Sequence, residues 1–148
     1  MFIPLMLGSV MVFISMGVQV TFVVMLIRYM IRIMNRKDRD THGFGFDTYV
    51  ISMILLMLFS GHLFQIAIWA AMFMYLGEFD EFLTAFYHSA VNFASLGYGD
   101  IVMSEKWRLL GALEASNGVL MFGLSAGTML SVMTRLFAHH RLSDSAPD

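Results

Sequence analysis

The 148-residue chain contains no cysteine, which excludes disulfide bonds and thiolate metal sites. Charge is scarce: 14% of the residues are charged, the formal net charge is −2, and no long basic run argues for nucleic acid as a partner. The sequence also lacks a nucleophile paired with a base, a metal-ligand cluster and a phosphate-binding loop, so we expect neither an enzyme nor a cofactor. What remains is 58% hydrophobic, with a mean hydropathy of +0.71, and this composition predicts a membrane protein.

Three apolar segments are long enough to cross a bilayer, which takes about 20 residues. Residues 2–27 and 48–77 carry no charge, and residues 109–134 carry only Glu114. The first segment lacks the basic start and the small-residue cleavage site of a signal peptide, so we expect it to be retained as a helix.

A fourth apolar segment, EFLTAFYHSAVNFA at residues 81–94, is only about half a membrane thick. Segments of that length are typical of re-entrant helices, and Asp80 is its expected N-cap, with Glu81 in the first turn. The following SLGYG, residues 95–99, is predicted to be non-helical. Such backbone is tolerated at membrane depth only where it is buried in protein or lines a water-filled path.

The distribution of basic residues predicts the orientation in the membrane. They follow the first and third spans, whereas Lys106 and Arg108 alone lie on the opposite side, among acidic residues. By the positive-inside rule, the first connection and the C-terminus are cytoplasmic and the N-terminus is outside, as in a multi-pass protein of the plasma (cell inner) membrane. The basic residues concerned are Arg28, Arg32, Arg36, Lys37, Arg39, Arg135 and Arg141.

Arg28, Arg32 and Arg36 are spaced four residues apart, on one face of the first helix. A voltage sensor repeats its charge every third residue along a whole span, so we interpret this row as a contact for anionic lipid headgroups. After it, DTHGFGFD is predicted to be a turn, with Gly43 and Gly45 as helix breakers and Asp47 as the cap of the second span.

The glycines of SLGYG point to cation binding. A dehydrated cation needs a ring of oxygens, and consecutive backbone carbonyls can supply it when they face one way. That arrangement requires unusual dihedral angles at alternating residues, which Gly97 and Gly99 adopt at low steric cost.

The sequence NFASLGYGDI, placed between a half-length helix and the spanning WRLLGALEASNGVLMFGLSAGTML, resembles the pore domain of tetrameric potassium channels. The resemblance covers about residues 48–137 and implies an all-α membrane protein with three transmembrane helices, a re-entrant pore helix and an extended selectivity filter. One chain supplies a quarter of a coordination cage, so a cyclic homotetramer is expected. The predicted organisation is an extra N-terminal helix at 1–34, a cytoplasmic loop at 35–47, an outer helix at 48–77, a pore helix at 81–94, a filter at 95–99, an inner helix at 107–138 and a short tail at 139–148.

The resemblance implies roles for individual residues. The carbonyl groups of four residues coordinate permeant K⁺, together with the hydroxyl group of the first: Ser95, Leu96, Gly97 and Tyr98. Gly99 closes the filter, and Asp100 is a hydrogen-bonding brace behind its outer mouth.

Four departures from the family pattern leave the degree of selectivity open. Ser95 and Leu96 stand where threonine and valine are usual, and Ala94 replaces a common second threonine. Tyr87-His88 also stands where many relatives carry a tryptophan pair. A weakly selective monovalent cation channel is therefore an alternative to a potassium-selective one, and a potassium transporter subunit and a non-conducting membrane scaffold are further alternatives.

Polar residues within the apolar segments have structural and functional interpretations. Glu114 pairs with Arg108 or is protonated, or it lies behind the pore helix and supports the filter together with Asn92 or His88. His62 and Gln65, in the second span, are expected to form interhelical hydrogen bonds, with proton sensing as the alternative for His62.

Four residues of the third span form a helical stripe that the resemblance places on the cavity: Leu120, Gly123, Gly127 and Ser131. Gly118, Gly123 and Gly127 are candidate hinges for a gate. The alternative is that they let helices approach closely.

Overall fold

The structure, a computed structural model, describes residues 2–36 and 44–144, and within them it is all-helical. Three helices contain segments long and apolar enough to span a membrane. The short third helix has 12 residues and is therefore about 18 Å long, too short to span. The predicted all-α membrane fold is confirmed. The helices are α1 (Phe2–Arg36), α2 (Phe44–Tyr75), α3 (Phe82–Phe93) and α4 (Arg108–Asp144).

The connection between the first two helices is shorter than the predicted 35–47, since α1 ends at Arg36 and α2 begins at Phe44. The predictions of Gly45 as a helix breaker and Asp47 as a cap are wrong, because both residues lie inside α2. Asp47 is in the first turn, where the free amide groups of a helix N-terminus stabilise a carboxylate.

The end of α2 lies at Tyr75 rather than at the predicted residue 77 because Gly77 adopts a left-handed conformation, with φ of +75°. The amide nitrogen of Gly77 donates to the carbonyl oxygen of Met74 at 2.9 Å, and that of Glu78 donates to Phe73 at 3.1 Å. These two bonds form a Schellman motif, a standard way to end a helix.

The ends of α3 and α4 also differ from the prediction. Asp80 is not the N-cap of α3, because Glu81 has the extended backbone of a capping residue (φ −114°, ψ 133°). Glu81 makes no side-chain capping bond, so α3 begins without a side-chain cap. α4 continues to Asp144, so much of the predicted 139–148 tail is helical.

Packing places the N-terminal helix away from α3. α1 contacts α2 and α4, and α3 contacts the same two helices, but α1 and α3 share no contact. α1 runs parallel to α4, because Gly8 lies beside Leu110 and Leu113 near the start of α4. Within the described residues the hydrophobic core has three clusters: one contains Leu26, Ile54, Leu58 and Val132, a second contains Met11, Trp69, Phe73, Trp107 and Leu110, and a third contains Ile66, Phe93 and Met121.

A layer of buried polar side chains connects α1, α2 and α4. We call it the polar layer, and its members are Ser15, Gln19, His62, Gln65 and Ser125. His62 contacts Ser125 of α4, and Gln65 contacts Gln19 of α1, so the predicted interhelical hydrogen bonds of these two residues are confirmed.

Some sequence predictions fall on parts of the chain outside the described residues or side chains. They concern the basic residues Arg36, Lys37, Arg39, Arg135 and Arg141, and also Gly43 and residues 145–148.

Candidate ion-conducting site

The chain leaves α3 through a second Schellman motif. Ala94 is the C-cap, and Ser95 follows with φ of +58°. The amide nitrogen of Ser95 donates to the carbonyl oxygen of Asn92 at 2.7 Å, and that of Leu96 donates to Val91 at 2.9 Å. The left-handed residue, which is glycine in most such motifs, is here a serine.

Residues 95–99, where the sequence predicts a filter and which we call the filter segment, have an alternating backbone. The φ angles are +58° at Ser95, +58° at Gly97 and +72° at Gly99, whereas Leu96 and Tyr98 between them are not in the positive-φ region. Alternation between left-handed and ordinary dihedral angles lets successive carbonyl groups face the same side. The two glycines adopt these angles with little strain.

The carbonyl oxygens of the filter segment are available to a ligand. Across residues 2–36 and 44–144, none of them accepts a hydrogen bond. The side chains of Leu96 and Tyr98 are 54% and 65% exposed in the single chain. Because unpaired backbone groups are costly in a membrane protein, these oxygens require water, an ion or another partner.

A hydrogen bond connects α3 to the residue that follows the filter segment. The hydroxyl group of Tyr87 donates to Asp100 Oδ2 at 2.7 Å, and the amide nitrogen of Ile101 donates to Asp100 Oδ1 at 3.0 Å. The bond from Tyr87 lowers the pKa of Asp100 and raises the pKa of Tyr87 itself. Tyr87 thereby connects α3 to the residue that follows the filter segment.

His88 provides a second connection to the same segment. Its Nδ1 lies 3.0 Å from the carbonyl oxygen of Ile101, and its Nε2 lies 2.9 Å from Asn92 Nδ2. Since the nitrogen of an amide side chain only donates, Nε2 accepts and Nδ1–H donates, which is the arrangement of a neutral imidazole. Burial lowers the pKa of His88 and so favours this neutral form.

Glu114 joins α4 to α3. It is fully buried, whereas Arg108 is exposed, and its Oε1 atom hydrogen-bonds to Ser89 Oγ of α3. Ser89 Oγ also lies 3.0 Å from the carbonyl oxygen of Ile66 in α2. The structure therefore places Glu114 against α3, the predicted pore helix, with a partner that the sequence analysis did not identify. The only sequence signal for Ser89 is its spacing of four residues from Ala85 on the buried face of α3.

Two buried groups near this contact lack partners within the described chain. They are the second carboxyl oxygen of Glu114 and both polar atoms of the Asn117 amide. Both residues have no exposed surface in the single chain.

Gly118 is the point at which α4 touches the backbone of α3. A Cβ atom at this position would lie 1.9 Å from the carbonyl oxygen of Phe93. The close approach of α4 to α3 therefore supports the packing interpretation of Gly118. By contrast, an added Cβ at Gly123 or Gly127 meets no atom within 4 Å. The predicted cavity stripe of Leu120, Gly123, Gly127 and Ser131 is exposed in the single chain.

A further contact that the sequence analysis did not identify connects the two loops at this end. Glu78 accepts hydrogen bonds from the amide nitrogen and the hydroxyl group of Ser104, both at 2.7 Å. The turn after α2 is thereby attached to the segment between the filter and α4.

A sequence profile described as that of an ion channel matches residues 49–135, more than half of the chain. The chain belongs to the ion channel family. No curated protein and no solved structure matches it. The matched range runs from α2 into α4 and includes the whole filter segment, whereas α1 lies outside it. The channel is a multi-pass membrane protein, with three apolar helices of spanning length among the described residues.

Proposed function

We propose that four copies of the chain form a potassium-selective channel, in which K⁺ passes down its gradient between the filter segments. One observation carries this proposal. The backbone of residues 95–99 alternates between positive and ordinary φ angles, and its carbonyl oxygens accept no hydrogen bond within the described chain. Dehydrated potassium is held by such carbonyl groups in potassium channels, with TVGYG as the known filter sequence.

Each residue of the segment has a proposed role. The carbonyl groups of Ser95, Leu96, Gly97 and Tyr98 coordinate K⁺. Gly99 closes the filter, and its φ of +72° is an angle that glycine adopts more readily than other residues. Behind these residues, Asp100, Asn92 and Glu114 support the filter through the contacts with Tyr87, His88 and Ser89. The C-terminal end of α3, which carries partial negative charge, favours a cation below the filter.

A homotetramer is proposed because one filter segment surrounds only a quarter of an ion. The exposed Leu96, Tyr98 and Leu120 support this assembly, since large apolar side chains next to the filter need a neighbouring chain or a cavity. In the tetramer, Leu120, Gly123, Gly127 and Ser131 line the inner cavity.

We further propose the orientation given by the positive-inside rule, with the N-terminus outside and the C-terminus in the cytoplasm. Arg28 and Arg32 are exposed near the end of the first span, a position that suits contact with anionic headgroups.

Ion replacement in planar bilayers tests the proposal. Purified wild-type protein is expected to conduct, with a reversal potential displaced strongly toward potassium when K⁺ and Na⁺ face each other. Gly97→Ala should abolish the current, because alanine is strained at φ +58°. Gly45→Ala is the matched control, since it is helical and an added Cβ meets nothing within 4 Å. Absence of cation current from folded wild-type protein contradicts the proposal and favours a scaffold.

One observation favours a weakly selective cation channel as the second candidate. Ser95 Oγ lies 3.4 Å from the carbonyl oxygen of Ala115 in α4, so the hydroxyl group is directed toward the inner helix. A reversal potential near zero in the same experiment would select this candidate.

A further inference from the structure

The polar layer contains a directed series of hydrogen bonds across three helices. Gln65 Nε2 of α2 donates to Gln19 Oε1 of α1 at 2.8 Å, and Gln19 Nε2 donates to Ser125 Oγ of α4 at 2.9 Å. Ser125 Oγ lies 3.0 Å from His62 Nε2 of α2. Because Ser125 accepts from Gln19, its own proton is free for His62, and each bond of the series therefore orients the next.

Gln19 is the central member of this series. It has no exposed surface, and its one amide group bonds to α2 through the oxygen and to α4 through the nitrogen. Buried polar groups in membrane helices are satisfied by such interhelical bonds, which typically contribute a modest stabilisation each.

Ser125 lies on α4 between two glycines, Gly123 and Gly127, beside which the described chain leaves open space. An added Cβ at Gly123 or Gly127 meets no atom within 4 Å, whereas Ser125 itself is only 9% exposed. Glycine weakens a helix interior, so α4 can bend between Gly123 and Gly127. The bond from Gln19 holds the helix between the same two glycines.

We propose that Gln19 is a positioning residue for the inner helix, so that the N-terminal helix α1 takes part in gating. This inference rests on the proposed channel function. α1 contacts α2 and α4 but not α3, which carries the filter segment. A change at Gln19 therefore alters the equilibrium between open and closed states and leaves the filter unchanged.

Single-channel recording of the full-length protein tests this inference through Gln19→Leu and Ser125→Ala. Each variant should change the ratio of open to closed time by about threefold or more, the equivalent of one interhelical hydrogen bond of about 0.6 kcal/mol. The effects of the two substitutions should not add in the double variant, because both remove the bond between Gln19 and Ser125. Single-channel conductance and the preference for K⁺ over Na⁺ should remain as in the wild type.

Two matched controls remove hydroxyl groups that bond only within their own helix. Thr21→Val on α1 loses a bond to the carbonyl oxygen of Gly17, and Ser116→Ala on α4 loses one to Ala112. Neither control should change the open-to-closed ratio. Ser125→Thr, which keeps the hydroxyl group, should restore the wild-type ratio.

The outcomes separate this inference from the function on which it rests. If the wild type conducts and Gln19→Leu has the same ratio of open to closed time, the inference alone is overturned. The inference is also overturned if Gln19→Leu changes conductance or selectivity together with that ratio. A wild-type protein that does not conduct overturns the proposed function and the inference with it. If Gln19→Leu fails to fold, Ser125→Ala and its threonine counterpart decide the question.

Discussion

Two turns in the channel have the same backbone hydrogen bonds and lead to different structures. At the end of α2 the left-handed residue is Gly77, and at the end of α3 it is Ser95. After Gly77 the chain is held at once, since Glu78 bonds to Ser104. After Ser95 it enters the filter segment, whose carbonyl oxygens have no partner within the described chain.

The comparison shows that the turn itself is not specific to ion conduction. A Schellman motif satisfies the last carbonyl groups of any helix, and glycine is its usual left-handed residue. The turn at Ser95 differs from the other in its surroundings. α4 packs against the end of α3 just before this turn, and Tyr87 and His88 contact the residues that follow the filter segment. Substitutions and a change of pH can alter these features one at a time.

The largest effect is expected where α4 touches the end of α3. In Gly118→Ala, the new Cβ lies 1.9 Å from the carbonyl oxygen of Phe93, so one of the two helices must move. Overpacking of this kind costs about 1–3 kcal/mol, and displacement of the turn should reduce K⁺ flux at least about tenfold. Liposome flux and thermal unfolding measure the two consequences.

Gly17→Ala is the control for this prediction, because an added Cβ at Gly17 meets no atom within 4 Å. A Gly118→Ala protein with wild-type flux and melting temperature would show that α4 does not fix the end of α3.

An intermediate effect is expected when the left-handed residues are exchanged. Gly77→Ala should destabilise the protein by about 1 kcal/mol, since alanine is strained at φ +75° and its methyl group meets no neighbour. Ser95→Gly should be more stable than Ser95→Ala by a similar amount, about 1 kcal/mol, because both lack the hydroxyl group and only glycine relieves the conformation. Thermal unfolding in detergent compares the four proteins, and equal stability of the two Ser95 variants contradicts the positive φ angle.

The smallest effect is expected from acidification. Burial lowers the pKa of His88, against the opposing influence of Asp100 and Glu78, so the folded protein takes up this proton less readily than the unfolded chain. Neutral His88 therefore contributes to the free energy of unfolding above about pH 6.5, and this contribution is lost as the pH falls below that value. The melting temperature of the wild type should therefore fall more between about pH 7.5 and about pH 5.5 than that of His88→Asn, which keeps a donor near Ile101 and cannot titrate. Equal losses in the two proteins would remove His88 as the cause.

The sequence predicted the features that depend on local pattern. The lengths of the apolar segments identified three spans and a short helix, and SLGYG identified the segment in which positive φ angles occur at alternating residues. The resemblance added the family, and the profile match over residues 49–135 confirmed an ion channel.

The contacts between distant residues could not be predicted in this way. Gln19 and Ser125 are 106 residues apart and lie in apolar segments with no pattern that pairs them. Ser89 was one polar residue among several on α3, and its bond to Glu114 depends on how closely α4 packs. The capping residue was misplaced by one position, because Asp80 is the better cap by residue type but the extended residue that precedes α3 is Glu81.

The most direct test of the account is a structure of the purified channel, determined in potassium and again in an alkali ion with a strong anomalous signal. We predict a particle with four-fold symmetry and a file of ions on its axis, in contact with the carbonyl oxygens of residues 95–98. A particle with two-fold or no rotational symmetry, or a filter segment directed away from the axis, would contradict it.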